Sequence, residues 1–268
     1  CSSDLLPPLD TTGLGLIARA RYALLYRLVM RRERSAQRRI EAMPKVAADL
    51  RYYRAKSTTT GASYSDYLTL YEDVRRYKPR EILELGPGMT TVVLAHALLD
   101  NAAEGAPLGR VTSMEEGADW TAMAKAALPS HLSHVVDIVH SPKVDGHYKI
   151  FRGVQYAEIP DRPYDYIFSD GPERHSPVNG DKLFDLDFIQ VVRRSERPIR
   201  GAVDNHYLTF YVLQKVFGTA LARYDPIRMI MLVGPVTRND LRHLRKENFV
   251  PDLRLFAATE LKLRMARD

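Results

Sequence analysis

Two short stretches of this chain gather oxygen and nitrogen donors: Asp170-Gly-Pro and, 34 residues later, Asp204-Asn205-His206. Each follows an apolar run, 164–169 and 199–203, of the kind that forms a buried strand. A gap of 34 residues leaves room for one crossover helix, so the two strands can be neighbours. Two carboxylates and an amide oxygen would then meet at one end of a sheet. Asp170, Asp204 and Asn205 as hard donors suit Mg²⁺ or Ca²⁺, with water and substrate completing the shell. The plainer reading is that Asp170 caps a turn and Asp204-Asn205 forms an Asx turn. His206, beside these donors, and His175, in the loop after Asp170, are candidate catalytic bases. Either can equally be a surface or packing histidine. The other six histidines form no His-x-x-x-His or similar ligand pair.

A third stretch, Glu84-Leu-Gly-Pro-Gly-Met-Thr90, ends another apolar run. Glycine lets a backbone turn sharply and approach a ligand with no Cβ in the way. A helix starting just after it offers free N–H groups to an anionic group. Glu84, Gly86, Pro87, Gly88 and Thr90 are therefore cofactor-binding candidates. Thr91 stands where a dinucleotide fingerprint would place its third glycine. A fourth stretch ends in Glu115-Glu116, where a carboxylate can accept both hydroxyls of a ribose. Its plain alternative is an acid favoured by the dipole of the next helix. Trp120, on that helix, can lie near a bound adenine, but a helical tryptophan is more often core, and the core is the place expected.

Such residues need a frame. Strands are expected at 81–85, 110–114, 135–139, 164–169, 199–203 and 227–233. Helices are expected at 89–99, 117–128, 181–193 and 208–217. This alternation implies an α/β fold: a Rossmann-like, doubly wound, mostly parallel sheet covered on both faces. Ligands bind such sheets at the carboxyl ends of the strands, where the strand order reverses. All four stretches above sit at strand ends.

The 268 residues suit one large domain, or a domain with an appendage. Hydrophobic residues at 45% and charged residues at 27% exclude a disordered or fibrous chain. The single cysteine, Cys1, rules out an intrachain disulfide and a cysteine-based zinc knuckle. A reducing, cytoplasmic setting fits. A mature lipoprotein would begin with a lipidated cysteine, but a fragment boundary explains Cys1 more simply.

Net charge is +6, and residues 1–60 hold 12 basic against 5 acidic side chains, leaving −1 for the rest. The body is therefore not drawn to nucleic acid by a positive field. Residues 14–30 place Leu14, Ile17, Leu24, Leu25 and Leu28 at helical spacing, and a basic run follows from Arg31 to Arg39. Arg19, Arg21 and Arg27 interrupt the apolar run, so it is too charged to span a membrane. Residues 14–39 can pack on the body, lie on a membrane surface or act as a nucleic-acid arm. The division expected is a basic helical extension over 1–75 and a cofactor-binding domain over 76–268. Tyr52, Tyr53, Tyr64 and Tyr67 can line a substrate entrance or dock the extension.

Together these residues resemble a class I S-adenosylmethionine (SAM)-dependent methyltransferase, over about 130 residues from Glu81 to Phe210. Glu84 to Thr90 resembles that family's first motif, and Glu115 the acid that holds the cofactor ribose. The run Ser113-Met-Glu-Glu-Gly-Ala-Asp-Trp120 is similar to the second-strand end of the catechol O-methyltransferase-like branch. Asp170, Asp204 and Asn205 are similar to that branch's divalent-metal triad, and Asp170 also counts among the cofactor-binding candidates. The resemblance implies SAM as cofactor, with Mg²⁺ assisting, and O-methylation of a small hydroxylated acceptor such as a sugar or natural product. Alternatives are a metal-independent methyltransferase of the same fold, a non-catalytic SAM-binding or membrane-associated scaffold, and a nicotinamide-dependent oxidoreductase. A nucleic-acid substrate is disfavoured, because Asp170-Gly-Pro-Glu173 stands where an Asn-Pro-Pro-Tyr motif would be.

Overall fold

A computed structural model describes residues 12–58 and 62–244, with the backbone of Ala266–Arg267. Residues 1–11 of the expected extension, Cys1 among them, lie outside the described residues. Helices α1 (Leu16–Glu41), α2 (Pro44–Lys56) and α3 (Tyr64–Tyr77) come first. The body then runs β1 (Glu81–Leu85), α4 (Met89–Ala103), β2 (Arg110–Glu115), α5 (Ala118–Ala127) and β3 (Val136–His140). A hairpin follows, β4 (Lys143–Tyr148) and β5 (Phe151–Tyr156), then β6 (Tyr166–Ser169), β7 (Phe184–Asp185) and α6 (Asp187–Arg194). The chain continues through β8 (Ile199–Val203), α7 (Tyr207–Phe217), β9 (Ala222–Asp225) and β10 (Ile230–Val236).

The main sheet has the order β3-β2-β1-β6-β8-β10-β9. Strands β3 through β8 in that order are parallel, and β10 pairs antiparallel with both β8 and β9. The chain winds outward from β1 to β3, then returns beside β1 with β6 and winds the other way. The order therefore reverses between β1 and β6, where a crevice opens at the carboxyl ends of the strands. This is the doubly wound, Rossmann-like sheet expected from the alternation.

Both faces are buried. Ile82, Val111, Tyr166 and Phe168 point into a layer built by α2, α3, α4 and the second half of α1. Leu83, Leu85, Ile167 and Val203 point into the opposite layer, with Phe188 of α6 and Leu213 and Phe217 of α7. Residues on one strand alternate between these layers because their side chains alternate in direction.

Helix α1 docks only by its second half, where Val29, Ala36 and Ile40 are buried. Glu33 accepts hydrogen bonds from the N–H groups of Tyr64 (2.9 Å) and Ser65 (2.8 Å), which helix α3 cannot satisfy internally. Ser63 and Asp66 complete that end as a reciprocal capping box. Arg39 of α1 pairs with Glu72 of α3. The first half of α1 leaves Leu16, Ile17, Leu24 and Leu28 exposed. Among the described residues no helix is long and apolar enough to cross a membrane.

Several expected elements differ in extent: the helix expected at 89–99 runs on to Ala103, and the strand expected at 164–169 begins at Tyr166. The helix expected at 181–193 begins only at Asp187, because residues 184–185 pair with Gly153 and Val154 of β5 instead. That small sheet, β4-β5-β7, was not expected. The strand expected at 227–233 runs from Ile230 to Val236. Asp225 Oδ1 accepts from the N–H groups of Ile227 (2.9 Å) and Arg228 (3.0 Å), folding those residues into the β9–β10 turn. The third strand is displaced by one residue, to Val136–His140.

Candidate functional site

A cleft of about 690 Å³ lies over the carboxyl ends of β1, β2, β6 and β8. Of the predicted residues, Gly86, Pro87, Gly88, Thr90, Glu115, Glu116, Asp170, Asp204 and His206 line it. Residues from positions 86 to 206 thus meet in one crevice. A wider, open depression of about 1030 Å³ beside α6 holds none of the predicted residues. Convergent chemistry, not volume, marks the smaller cleft.

The glycine loop turns at Gly86, which has φ +95° and so occupies backbone space that favours glycine. Glu84 lies behind this loop, fully buried, and does not line the cleft. Its carboxylate accepts hydrogen bonds from the hydroxyls of Thr90, Thr91 and Ser113, each at 2.6 Å. Burial nevertheless pushes its pKa up to about 7. Glu84 therefore clamps the loop to the start of α4 and to β2. It reaches the cleft only through Thr90.

Glu115 faces the cleft with one oxygen committed: Oε1 accepts from the Gly117 N–H at 2.8 Å. Burial raises its pKa from the ordinary carboxylate value. Glu116 also lines the cleft, but its Oε1 accepts from the Glu173 N–H at 2.9 Å, bracing the loop after Asp170. Trp120 is half exposed and lines the cleft beside Glu115, so the expected core position is incorrect. Helix α5 buries only Thr121, Ala124 and Ala127, and Trp120 falls off that face.

Asp170, Asp204 and His206 form the floor, with one donor atom from each lying within 4.8 Å of the others. His206 Nε2 stands 3.5 Å from Asp170 Oδ1. Burial, then repulsion from Asp204, pushes the Asp170 carboxyl well above its usual range. Its side chain keeps 36% exposure to the cleft, where solvent screens part of that effect. Burial also raises Asp204. Burial pushes the His206 imidazole down to about 3, with Arg174 and Lys182 adding to it, so the ring is neutral. Asn205 does not line the cleft, yet its Oδ1 is buried and has no hydrogen-bond partner. The same holds for His206 Nδ1.

The structure does not bring His175 into the cleft. Its Nδ1 is engaged by Glu173, and the ring is exposed. Tyr53, one of the tyrosines offered for a substrate entrance, lines the cleft, whereas several other lining residues had no sequence signal: Ser57 just after α2, Met123 of α5, Lys143 at the start of β4, and Arg174. Lys143 holds the Glu173 carbonyl at 3.0 Å and also its carboxylate. Tyr53 and Tyr67 are buried between the first three helices and the body, whereas Tyr52 is exposed.

No protein-family model matches the chain, and no curated protein matches it. Among solved structures, it is similar to the O-methyltransferase TomG from Streptomyces achromogenes, in complex with SAM, at 18% identity and a TM-score of 0.40. That match covers 60% of this chain and 65% of TomG, just under two thirds of its length. An O-methyltransferase from Bacillus cereus in complex with SAH is 18% identical with a TM-score of 0.41, covering 69% and 73% of the two chains. The SAH-bound methyltransferase PaMTH1 from Podospora anserina is 14% identical with a TM-score of 0.43, covering 69% and 71%.

Proposed function

We propose that the chain is a SAM-dependent O-methyltransferase for a small hydroxylated acceptor, working with a divalent cation such as Mg²⁺. The observation that carries this reading is the meeting of the glycine loop, Glu115 and the Asp170–Asp204 pair in one cleft. Gly86 to Thr90 would hold the amino-acid part of the cofactor against the free N–H groups of α4. The Glu115 carboxylate would accept ribose hydroxyls, and Trp120 would cover the adenine. SAM, when bound, supplies an electrophilic methyl group, so the protein's work is mainly alignment and removal of the acceptor proton.

The donor set fits a hard divalent cation. Burial raises both carboxyls, Asp204 adds to the rise at Asp170, and the Asn205 side-chain oxygen is buried without a partner. Asp170, Asp204 and Asn205 would hold the ion, which supplies a Lewis acid that acidifies a bound hydroxyl. His206 stands beside these donors, its Nε2 3.5 Å from Asp170 Oδ1, and its lowered pKa makes the ring a weaker base than an ordinary histidine. Arg174 places one positive charge at the rim, able to meet an acceptor oxygen as it loses its proton.

The exposed half of α1 supports a second, peripheral role. No acid occurs between Thr11 and Arg32, while Arg19, Arg21, Arg27, Arg31 and Arg32 do. Ile17, Leu24 and Leu28 are exposed on the side away from the docked Val29, Ala36 and Ile40. Apolar contact flanked by arginines suits an anionic lipid surface.

Calorimetric titration with SAM, with and without Mg²⁺ and with NAD as control, tests the main reading. Micromolar SAM binding supports it, and a Mg²⁺ heat lost in Asp170→Ala supports the cation. Absence of SAM binding in both conditions refutes it.

A further inference from the structure

A second cluster of metal-ligating side chains lies away from the cleft floor. Asp49 comes from α2, His96 from α4, and His131 from the single turn Ser130–Leu132. His96 Nε2 lies 2.7 Å and His131 Nε2 2.8 Å from the same atom, Asp49 Oδ2. The three donor atoms all lie within 4.8 Å of one another. Two imidazoles thus converge on one carboxylate oxygen, although a single donor would satisfy that contact.

Each ligand is set on a firm support. His96 is almost fully buried, with 5% of its side chain exposed, and Asp49 has 14%. Val46 and Leu50 of α2 pack in the same layer as Val92 and Val93 of α4. Leu132, next to His131, is fully buried, and Ser133 Oγ closes the turn on the Ser130 carbonyl at 2.7 Å. His131 itself is 59% exposed and opens the cluster to solvent.

We propose that Asp49, His96 and His131 form a Zn²⁺ site that pins α2 and the 130–132 turn to α4. Two imidazole nitrogens and one carboxylate oxygen are a donor set for zinc, not for Mg²⁺, which prefers an all-oxygen shell. Each imidazole would bind the ion through Nε2 as the neutral ring, its one proton carried on Nδ1, and a water completes four-coordination on the open side. The site bears on the cleft indirectly. Tyr53, one helical turn beyond Asp49, lines the cleft wall.

The test uses the full chain, stripped with chelator, carrying Asp204→Asn to remove the other cluster able to hold a metal. Zn²⁺ titration is expected to show one bound equivalent and a melting temperature raised by roughly 5–10 °C at a hundredfold excess over the dissociation constant. Adding His131→Ala should weaken binding more than about 100-fold, beyond the range of an outer-shell partner. His131→Cys should restore binding and give a thiolate-to-cobalt charge-transfer band with Co²⁺. Because His131 is exposed, neither change threatens folding. No Zn²⁺ binding in the Asp204→Asn chain, or binding unmoved by His131→Ala, means a hydrogen-bonded triad only and overturns the proposal. SAM is absent from every arm, so failure here is separable from failure of the methyltransferase reading.

Discussion

Gly86 and Gly171 press their backbones together where the strand order reverses. A Cβ on Gly171 would stand 3.2 Å from the Gly86 Cα and 3.1 Å from the Tyr156 hydroxyl. A Cβ on Gly86 would stand 3.3 Å from the Gly171 nitrogen. This contact sets the spacing between the glycine loop and Asp170. Gly171→Ala should therefore destabilise by about 1–3 kcal/mol, the usual cost of overpacking. It should also weaken SAM binding, because the loops must part. Urea denaturation and SAM titration of the variant check both. Unchanged values in both would mean that the loops yield freely.

Asp204→Ala should reduce turnover by roughly 100–1000-fold, the range for losing one preorganised electrostatic group. SAM affinity should stay close to that of the parent, because Asp204 lies on the acceptor side of the proposed site. Steady-state kinetics with a methylated acceptor, beside calorimetry, separates the two effects. Full turnover in the variant would remove Asp204 from the chemistry.

Glu115→Ala should weaken SAM by about 1.5–3 kcal/mol, the range for a lost charge-assisted hydrogen bond. SAH should lose the same amount, since both share the ribose. Unequal losses would mean that Glu115 senses the sulfonium rather than the sugar.

Stability should fall as pH rises through the titration of Glu84. Its pKa is about 7 in the fold against an ordinary 4.5, so the folded state retains a proton that the unfolded chain releases between those values. The stabilisation is fully present below pH 4.5 and is lost by pH 7, on the order of 3 kcal/mol at about 1.4 kcal/mol per pKa unit. Glu84→Gln has no proton to lose there. Its unfolding free energy should decline less than the parent's between pH 5 and 8. Parallel pH profiles for the two proteins would show that Glu84 titrates normally.

Leu24→Glu should release the chain from anionic vesicles without changing its melting temperature, since Leu24 is exposed on the undocked half of α1. Co-sedimentation with phosphatidylglycerol and with phosphatidylcholine vesicles is the check. Equal recovery with both lipids, or a concentration-dependent dimer in their place, would sink the lipid reading.

Local patterning accounts for what the sequence determined by itself. Strand and helix periodicities, and the glycine turn after Leu85, depend on neighbours only a few residues away. They were enough to place β1, β2, β6 and β8 and the acids that end three of them. Residues 181–186 mislead because strand β7 forms only against Gly153 and Val154, some thirty positions earlier. Trp120 misleads because the α5 surface it occupies faces the cleft rather than the core.

The strand ends already pointed to Asp170 beside Asp204, but which other distant residues meet belongs to the tertiary structure. Asp170 and Asp204 become neighbours because β6 pairs with β8 in parallel register. His206 joins them, while His175 turns to Glu173 instead. Asp49, His96 and His131 share no motif spacing, yet three separate elements bring their donors to one point. The physical reason is that such contacts cost the entropy of closing long loops, and only burial of the whole core offsets that cost.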